Sequence, residues 1–262
     1  MNEDSLRIEN LLQQAEREDC GGEHPMTYFA RQFLGTPYVA HTLEGNDPEQ
    51  LVVNTRQLDC STFVETVAAL TLCHRSGTRR YRHFCQRLQQ IRYRQGRIDG
   101  YPSRLHYLTE WALDNQQKGL LTSVLDTVPS PLLKDVSVNV NYMSTHPDRY
   151  AALKQHPEYI PHIRRNEAAI NGLRVRVLPK AYTNRSPRQL PFIQTGDIVA
   201  IVTSKAGLDT SHLGIALWQD GKLHLIHASS LRKQVILDPQ TFHQYTSRQP
   251  SQSAIRILRL KE

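Results

Sequence analysis

The sequence predicts an α+β fold in which N-terminal helices pack on a C-terminal antiparallel sheet or small barrel. Three observations carry this. Helical periodicity dominates the first 125 residues, strands and turns dominate from Thr195 onward, and few strand–helix–strand alternations intervene. The 262 residues are 39% hydrophobic with no low-complexity tract or internal repeat, as expected of a globular chain. No linker signal breaks it. We therefore expect a single domain over 1–262, with a core at about 1–75 and 191–262 and a helical insertion at about 76–190.

Residues 4–18 place Leu6, Leu11, Leu12 and Ala15 among acidic and amide side chains, which predicts an amphipathic helix. A second helix around Tyr28–Leu34 stops at Gly35-Thr36-Pro37. The turn-rich stretch Tyr38–Gln57 holds a short strand candidate, Leu51-Val52-Val53. A helix then runs from Cys60 to about His74, with Phe63, Val67 and Leu70 on one side and Thr62-x-x-Glu65 as a capping box. Residues 76–125 read mostly helical, broken at Gly100-Tyr101-Pro102-Ser103 before a helix over Arg104–Lys118. Between 126 and 190 the pattern is mixed: strands at Val136–Val140 and Leu173–Leu178, and helices around Pro147–Gln155 and Ile163–Asn171. Asp197–Thr203 is a continuous apolar strand. His212–Trp218 and Leu223–Ala228 flank Asp220-Gly221, a two-residue hairpin signal, and Val235–Leu237 and Ala254–Leu260 complete the strands.

Net charge is +7, which favours anionic partners. The basic run from Thr78 to Arg97 spaces Tyr81, Phe84, Leu88 and Ile91 as a helix would. It reads as an amphipathic helix with a solvated arginine face, and no nucleic-acid-binding module is visible. No stretch approaches the ~20 apolar residues of a membrane span. Four cysteines, Cys20, Cys60, Cys73 and Cys85, are too few for a disulfide scaffold in a chain this long. Cys73-His74 and His83-x-Cys85 fit no common zinc spacing, so neither metal nor cofactor is expected.

The chemistry gathers around Cys60. In Leu58-Asp59-Cys60-Ser61-Thr62 a polar turn meets an apolar helix. Unpaired N–H groups and the helix dipole at such a start are expected to stabilise a thiolate and lower its pKa from roughly 8.5. A base must then come from elsewhere. With Asp220-Gly221 as the turn, Gln219 pairs with Lys222, Leu217 with His224 and Ile215 with Ile226. Extending that register sets Gly214 opposite His227 and His212 opposite Ser229. His212 and His227 then share a face as diagonal neighbours, roughly 7–8 Å apart at the backbone, with Gly214 making room for the His227 ring. His224 lies on the other face. The expected roles are Cys60 as nucleophile, His212 as base and His227 as the group orienting it.

These residues resemble the NlpC-type branch of the papain-like cysteine peptidases and amidases, bacterial enzymes that act on peptidoglycan. The matching pieces are Leu58–Val64, Gly196-Asp197-Ile198-Val199, His212-Leu213-Gly214-Ile215, Ile226-His227-Ala228-Ser229 and Gly35-Thr36-Pro37-Tyr38. A narrower similarity, to N-acetylmuramoyl-L-alanine amidases, rests on Gly35-Thr36-Pro37-Tyr38-x-x-x-Thr42-Leu43-Glu44, Ser103-Arg104-Leu105-His106-Tyr107, Glu110-Trp111 and Asn115. His41 departs from it, standing where a small residue such as glycine is expected.

The resemblance implies a papain-like fold and hydrolysis of the amide between the lactyl group of N-acetylmuramic acid and L-alanine. The Cys60 N–H and Tyr38 hydroxyl would hold the oxyanion. Arg104 would bind a substrate carboxylate or form a structural ion pair. Glu44 and Asp59 would contact amide or sugar groups or order their turns, and Ser61 and Ser211 are further substrate-binding candidates. The expected partner is peptidoglycan or a muropeptide, met by a monomer with no nucleic acid. The location would be periplasmic or secreted if a leader is missing from this sequence, otherwise cytoplasmic. Two alternatives remain: a D-glutamyl-diamino acid endopeptidase of the same fold, or a non-catalytic basic wall-binding protein.

Overall fold

The computed structural model describes residues 3–261. Helices α1 (Glu3–Arg17), α2 (Pro25–Arg31), α3 (Cys60–Arg75), α4 (Tyr81–Arg92) and α5 (Leu108–Gln117) come first. The middle of the chain alternates strands β1 (Leu121–Ser123), β2 (Lys134–Ser137) and β3 (Arg174–Pro179) with helices α6 (Tyr142–Thr145), α7 (Ala151–Gln155) and α8 (Ile160–Ile170). Strands β4 (Ile198–Thr203), β5 (Thr210–Gln219), β6 (Lys222–Ser229) and β7 (Gln234–Leu237), helix α9 (Phe242–Ser247) and strand β8 (Gln252–Leu260) close it. The sheet runs β2-β3-β8-β4-β5-β6-β7, with β1 also pairing β8, and every ladder is antiparallel. The α+β expectation holds. The stretch read as a helical insertion, however, supplies β1, β2 and β3 to the same sheet.

Sheet alternation sorts the core. Ile198, Ala200, Ile215, Ile226, Ala228 and Leu258 face helices α1–α5, while Val199, Ile201, Ala216, Leu225, Ile255 and Ile257 face the other way, onto Leu190, Ile193 and Phe242. Helix α3 is buried on nearly every side, with Phe63, Val64, Val67, Ala68, Ala69 and Leu70 inaccessible to solvent. Packing rather than one apolar stripe therefore holds it.

Two local readings need correction. The capping box sits three residues earlier than expected. Asp59, with extended backbone, is the N-cap; its carboxylate accepts from the Thr62 N–H (2.8 Å) and Thr62 Oγ1 donates to it (2.9 Å). Glu65 instead pairs with buried Arg92 at 2.7 Å. Leu51-Val52-Val53 forms no strand, because the Val52 carbonyl accepts from the Arg92 guanidinium (2.6 Å) in place of a neighbouring strand. Arg92 thus turns inward, although α4 otherwise buries Phe84, Leu88 and Ile91 as its spacing predicts.

The hairpin turn is as read. Asp220 (φ 51°) and Gly221 (φ 69°) both take left-handed backbone, and Gln219 pairs with Lys222. The β5–β6 ladder runs only to Ile215–Ile226. Beyond it each strand keeps its outer neighbour: His212 pairs with Ile201 on β4, and His227 with Ile236 on β7. The expected Gly214–His227 and His212–Ser229 pairs do not form. A Cβ at Gly214 would strike the Leu225 side chain at 2.6 Å, so the space there serves Leu225 and not the His227 ring. No helix among the described residues is long and apolar enough to cross a membrane.

Candidate active site

The parting of β5 and β6 leaves two histidine rings on one side of the sheet. His212 Nε2 and His227 Nδ1 lie 2.6 Å apart with the rings nearly perpendicular. His227 Nε2 in turn lies 3.3 Å from Asp238 Oδ2. The order of partners assigns both tautomers. A carboxylate only accepts, so His227 carries its proton on Nε2 and leaves Nδ1 bare. His212 must then donate from Nε2, and its Nδ1 is left bare as a base. Burial opposes ionisation of Asp238, but hydrogen bonds from His227 and the Gln240 N–H hold its carboxyl below the usual range. Burial, with His227 next to it, lowers His212 to about 3, so the ring is neutral near pH 7. Tyr245 on α9 flanks the pair, 5.4 Å from the His227 ring and 6.2 Å from His212.

His212 opens onto a cavity of about 220 Å³ whose walls include Cys60, Ser61, His106, Trp111, Thr210 and Leu213. Cys60 is half-buried at the first turn of α3. Its thiol is not the low-pKa group that a helix start suggests. Burial first, then the neighbouring Asp59 carboxylate, push it up to about 11; the Leu213 amide, the Ser61 hydroxyl and its own amide pull the other way without prevailing. The resting pair is a neutral thiol and a neutral imidazole, not a thiolate–imidazolium pair. All four cysteines are free.

The remaining candidate residues divide between two places. Tyr38 is half-buried, its chain bridged to Leu58, two residues before Cys60; burial and the nearby Cys60 and Asp59 raise its phenol to about 12. Ser61 and Ser211 are exposed on the cavity rim, Ser211 at the bulge that shifts β5 against β4. Asp59 is committed to its cap. Glu44 and Arg104 are not in this cavity at all, but line a second one with Glu49, Tyr101 and His156. There Arg104 is saturated: Glu49 takes Nε (2.9 Å) and Nη2 (2.6 Å), Glu44 takes Nη1 (2.8 Å), the Leu43 carbonyl takes Nη2 (3.1 Å), and the guanidinium covers the Tyr101 ring. Its environment is that of a structural ion pair. His41 adopts φ 64°, the left-handed backbone that glycine takes most readily.

Sequence reasoning missed Asp238 and Tyr245. Asp238 is two residues past Ile236, which pairs with His227, so strand alternation puts it on the same face. It also missed polar atoms in the cavity wall, since Trp111 Nε1 and Thr210 Oγ1 are buried without a hydrogen-bond partner among the described residues. By contrast, the two carboxylates on that wall are engaged, Glu65 by Arg92 and Asp209 by the Thr109 N–H. No three-residue metal-ligand cluster occurs among the described residues.

An antiparallel sheet carrying paired histidines, set against a helix that begins with a cysteine, is the frame of a hydrolase-type cleft. The chain belongs to the AmiA-like family, N-acetylmuramoyl-L-alanine amidase-like, whose family model matches residues 28–254. It is similar to an N-acetylmuramoyl-L-alanine amidase from Bacteroides uniformis solved by crystallography: 40% identity over 91% of this chain and 98% of that one, with a TM-score of 0.85. A Bacteroides fragilis structure with a provisional xylanase label is also similar, at 41% identity over 88% of this chain and 98% of that one, TM-score 0.81. A Legionella pneumophila protein, 21% identical over 98% of this chain and 94% of that one, shares the fold at TM-score 0.73. A search of curated proteins returns no match.

Proposed function

We propose that this cell-wall amidase uses Cys60 as its nucleophile to cleave the amide between N-acetylmuramic acid and L-alanine in a papain-like manner. The observation that carries the reading is the ordered chain Asp238–His227–His212, whose last ring lines the same cavity as Cys60. As Sγ bonds to the lactyl carbonyl carbon, the thiol proton passes to His212 Nδ1. The imidazolium that forms is stabilised through His227 by the Asp238 carboxylate. Because thiol and imidazole rest neutral, their charges arise only as the carbon–sulfur bond forms. The oxyanion is received by the Cys60 N–H, a first-turn donor with no intrahelical acceptor, together with the Tyr38 hydroxyl. His212 then protonates the departing alanine nitrogen as the carbon–nitrogen bond breaks. The remaining thioester is hydrolysed by water, with His212 again taking the proton, which frees the sugar acid and restores the thiol. Trp111 Nε1 is available to donate to a substrate oxygen.

A glycosidase reading finds less support, because it asks for two carboxylates free to act on the substrate, and Glu65 and Asp209 are both committed. The test is digestion of defined muropeptides, with and without the disaccharide, read by mass spectrometry. The amidase releases an intact stem peptide beginning with L-Ala and cleaves nothing once the muramic acid is removed. Cleavage between D-glutamate and the diamino acid would make the enzyme an endopeptidase instead.

A further inference from the structure

Deeply buried arginines in this protein come with carboxylates: Arg92 has Glu65 and Arg104 has Glu49 and Glu44. Arg256 breaks the pattern. It sits in the middle of β8, paired with Ala200 on β4, and is 4% exposed. Its Nη1 donates to the Thr109 hydroxyl at 2.9 Å, Nε is buried with no partner, and Nη2 makes no hydrogen bond among the described residues. It forms no ion pair among them either. Arginine does not shed its proton under such conditions, and a buried guanidinium is costly to leave without a hydrogen-bonded anion. Asp209 and Asp126 favour its charge without forming an ion pair with it among the described residues, so the guanidinium fork stands open to an anion from outside the chain.

There is room for one. Arg256 lines a cavity of about 410 Å³ with Thr109, Asn139, Asn141, Ser204 and Lys205, over an apolar floor of valines. The acidic residue on this wall is Asp209, whose Oδ2 accepts from the Thr109 N–H at 2.7 Å, at the start of α5. Leu208 and Asp209 also line the Cys60 cavity, so one loop separates the two spaces. Backbone hydrogen bonds from Asn141 (3.2 Å) and Tyr142 (3.1 Å) to the Gly207 carbonyl fix that loop.

We propose that this cavity binds a carboxylate held by the Arg256 guanidinium, and that the source of the carboxylate is the stem peptide of the substrate. The source rests on the amidase reading above; the carboxylate site itself does not. A charge-assisted contact here would hold the peptide side of the scissile amide while Cys60 meets the sugar-acid side.

The test is calorimetric titration of the Cys60→Ala protein with the dipeptide L-Ala-D-Glu, with its diamide, and with acetate, repeated in a Cys60→Ala/Arg256→Met background. Saturable binding of the dipeptide, weakened at least tenfold by Arg256→Met and absent for the diamide, supports the proposal. Acetate binding that depends on Arg256, without dipeptide binding, overturns the peptide as the source. No binding of either anion, or equal dipeptide binding in both backgrounds, overturns the site. If Arg256→Met does not fold, Arg256→Lys, which keeps the charge without the planar fork, is expected to weaken the dipeptide severalfold; unchanged affinity overturns the site. The amidase reading fails separately: wild-type enzyme that cleaves no muropeptide leaves an Arg256-dependent dipeptide site standing.

Discussion

Helix α3 has a cysteine and a histidine brought together at each of its ends, in very different surroundings. At the C-terminal end, Cys20 Sγ lies 3.5 Å from His74 Nε2, and Cys20 is 2% exposed. At the N-terminal end, Cys60 and His212 face a shared cavity, and His212 is tied through His227 to Asp238. Thiol acidity does not separate the two, since burial pushes both up to about 11. What separates them is access for a substrate, donors at a helix start in place of the carbonyl end of the dipole, and a fixed tautomer on the base. The first thiol is buried against its imidazole, whereas the second borders an open cavity that its histidine also lines.

Short of replacing Cys60 itself, the largest effect should come from making the N-terminal end more like the other by removing its tautomer control. In Asp238→Asn the new amide can donate to His227 Nε2, which turns both rings over and points a proton from His212 Nδ1 at Cys60. We expect kcat to fall by about 10²–10⁴-fold with little change in KM, and Asp238→Ala to lose less. Equal losses in both variants would mean that Asp238 supplies charge and not orientation.

A second contrast separates the two cavities. Arg104→Ala leaves Glu49 and Glu44 buried without their cation and should cost about 3–5 kcal/mol in urea unfolding, while kcat of the folded enzyme stays near that of the parent. A pure loss of kcat at unchanged stability would move Arg104 into the chemistry. Smaller still, Cys20→Ala should lower stability by about 1 kcal/mol and leave kcat alone. Iodoacetamide sharpens the comparison further. Cys60 should be alkylated about tenfold faster per pH unit between pH 7 and 10, since only the thiolate reacts and its fraction climbs toward a pKa of about 11. Cys20 should react only on unfolding. A plateau for Cys60 below pH 8 would show a preformed thiolate.

Short-range patterns made much of this legible. Asp220-Gly221 fixed the hairpin and put His212 and His227 on one face, and the meeting of Asp59 with the apolar run marked the start of α3 within a residue. What escaped depends on contacts distant in sequence or on short elements. The loop 230–233 after β6 is longer than a two-residue turn and leaves the register of β7 open, so Asp238 could not be placed. Helix α9, only six residues long, has no periodicity to announce Tyr245. The partners that saturate Arg104 stand 55 and 60 residues away. The thiol pKa went wrong for a similar reason, because the helix start is local and visible, whereas the burial that outweighs it belongs to the assembled cavity.

The most direct test of the account is the turnover of a defined disaccharide muropeptide by the Cys60→Ala enzyme, with its folding confirmed by circular dichroism and urea unfolding. Release of the L-Ala stem peptide should fall by at least about 10⁴-fold while the unfolding midpoint stays within roughly 1 kcal/mol of the parent. Undiminished release from that folded variant would contradict the assignment of sulfur as the attacking atom.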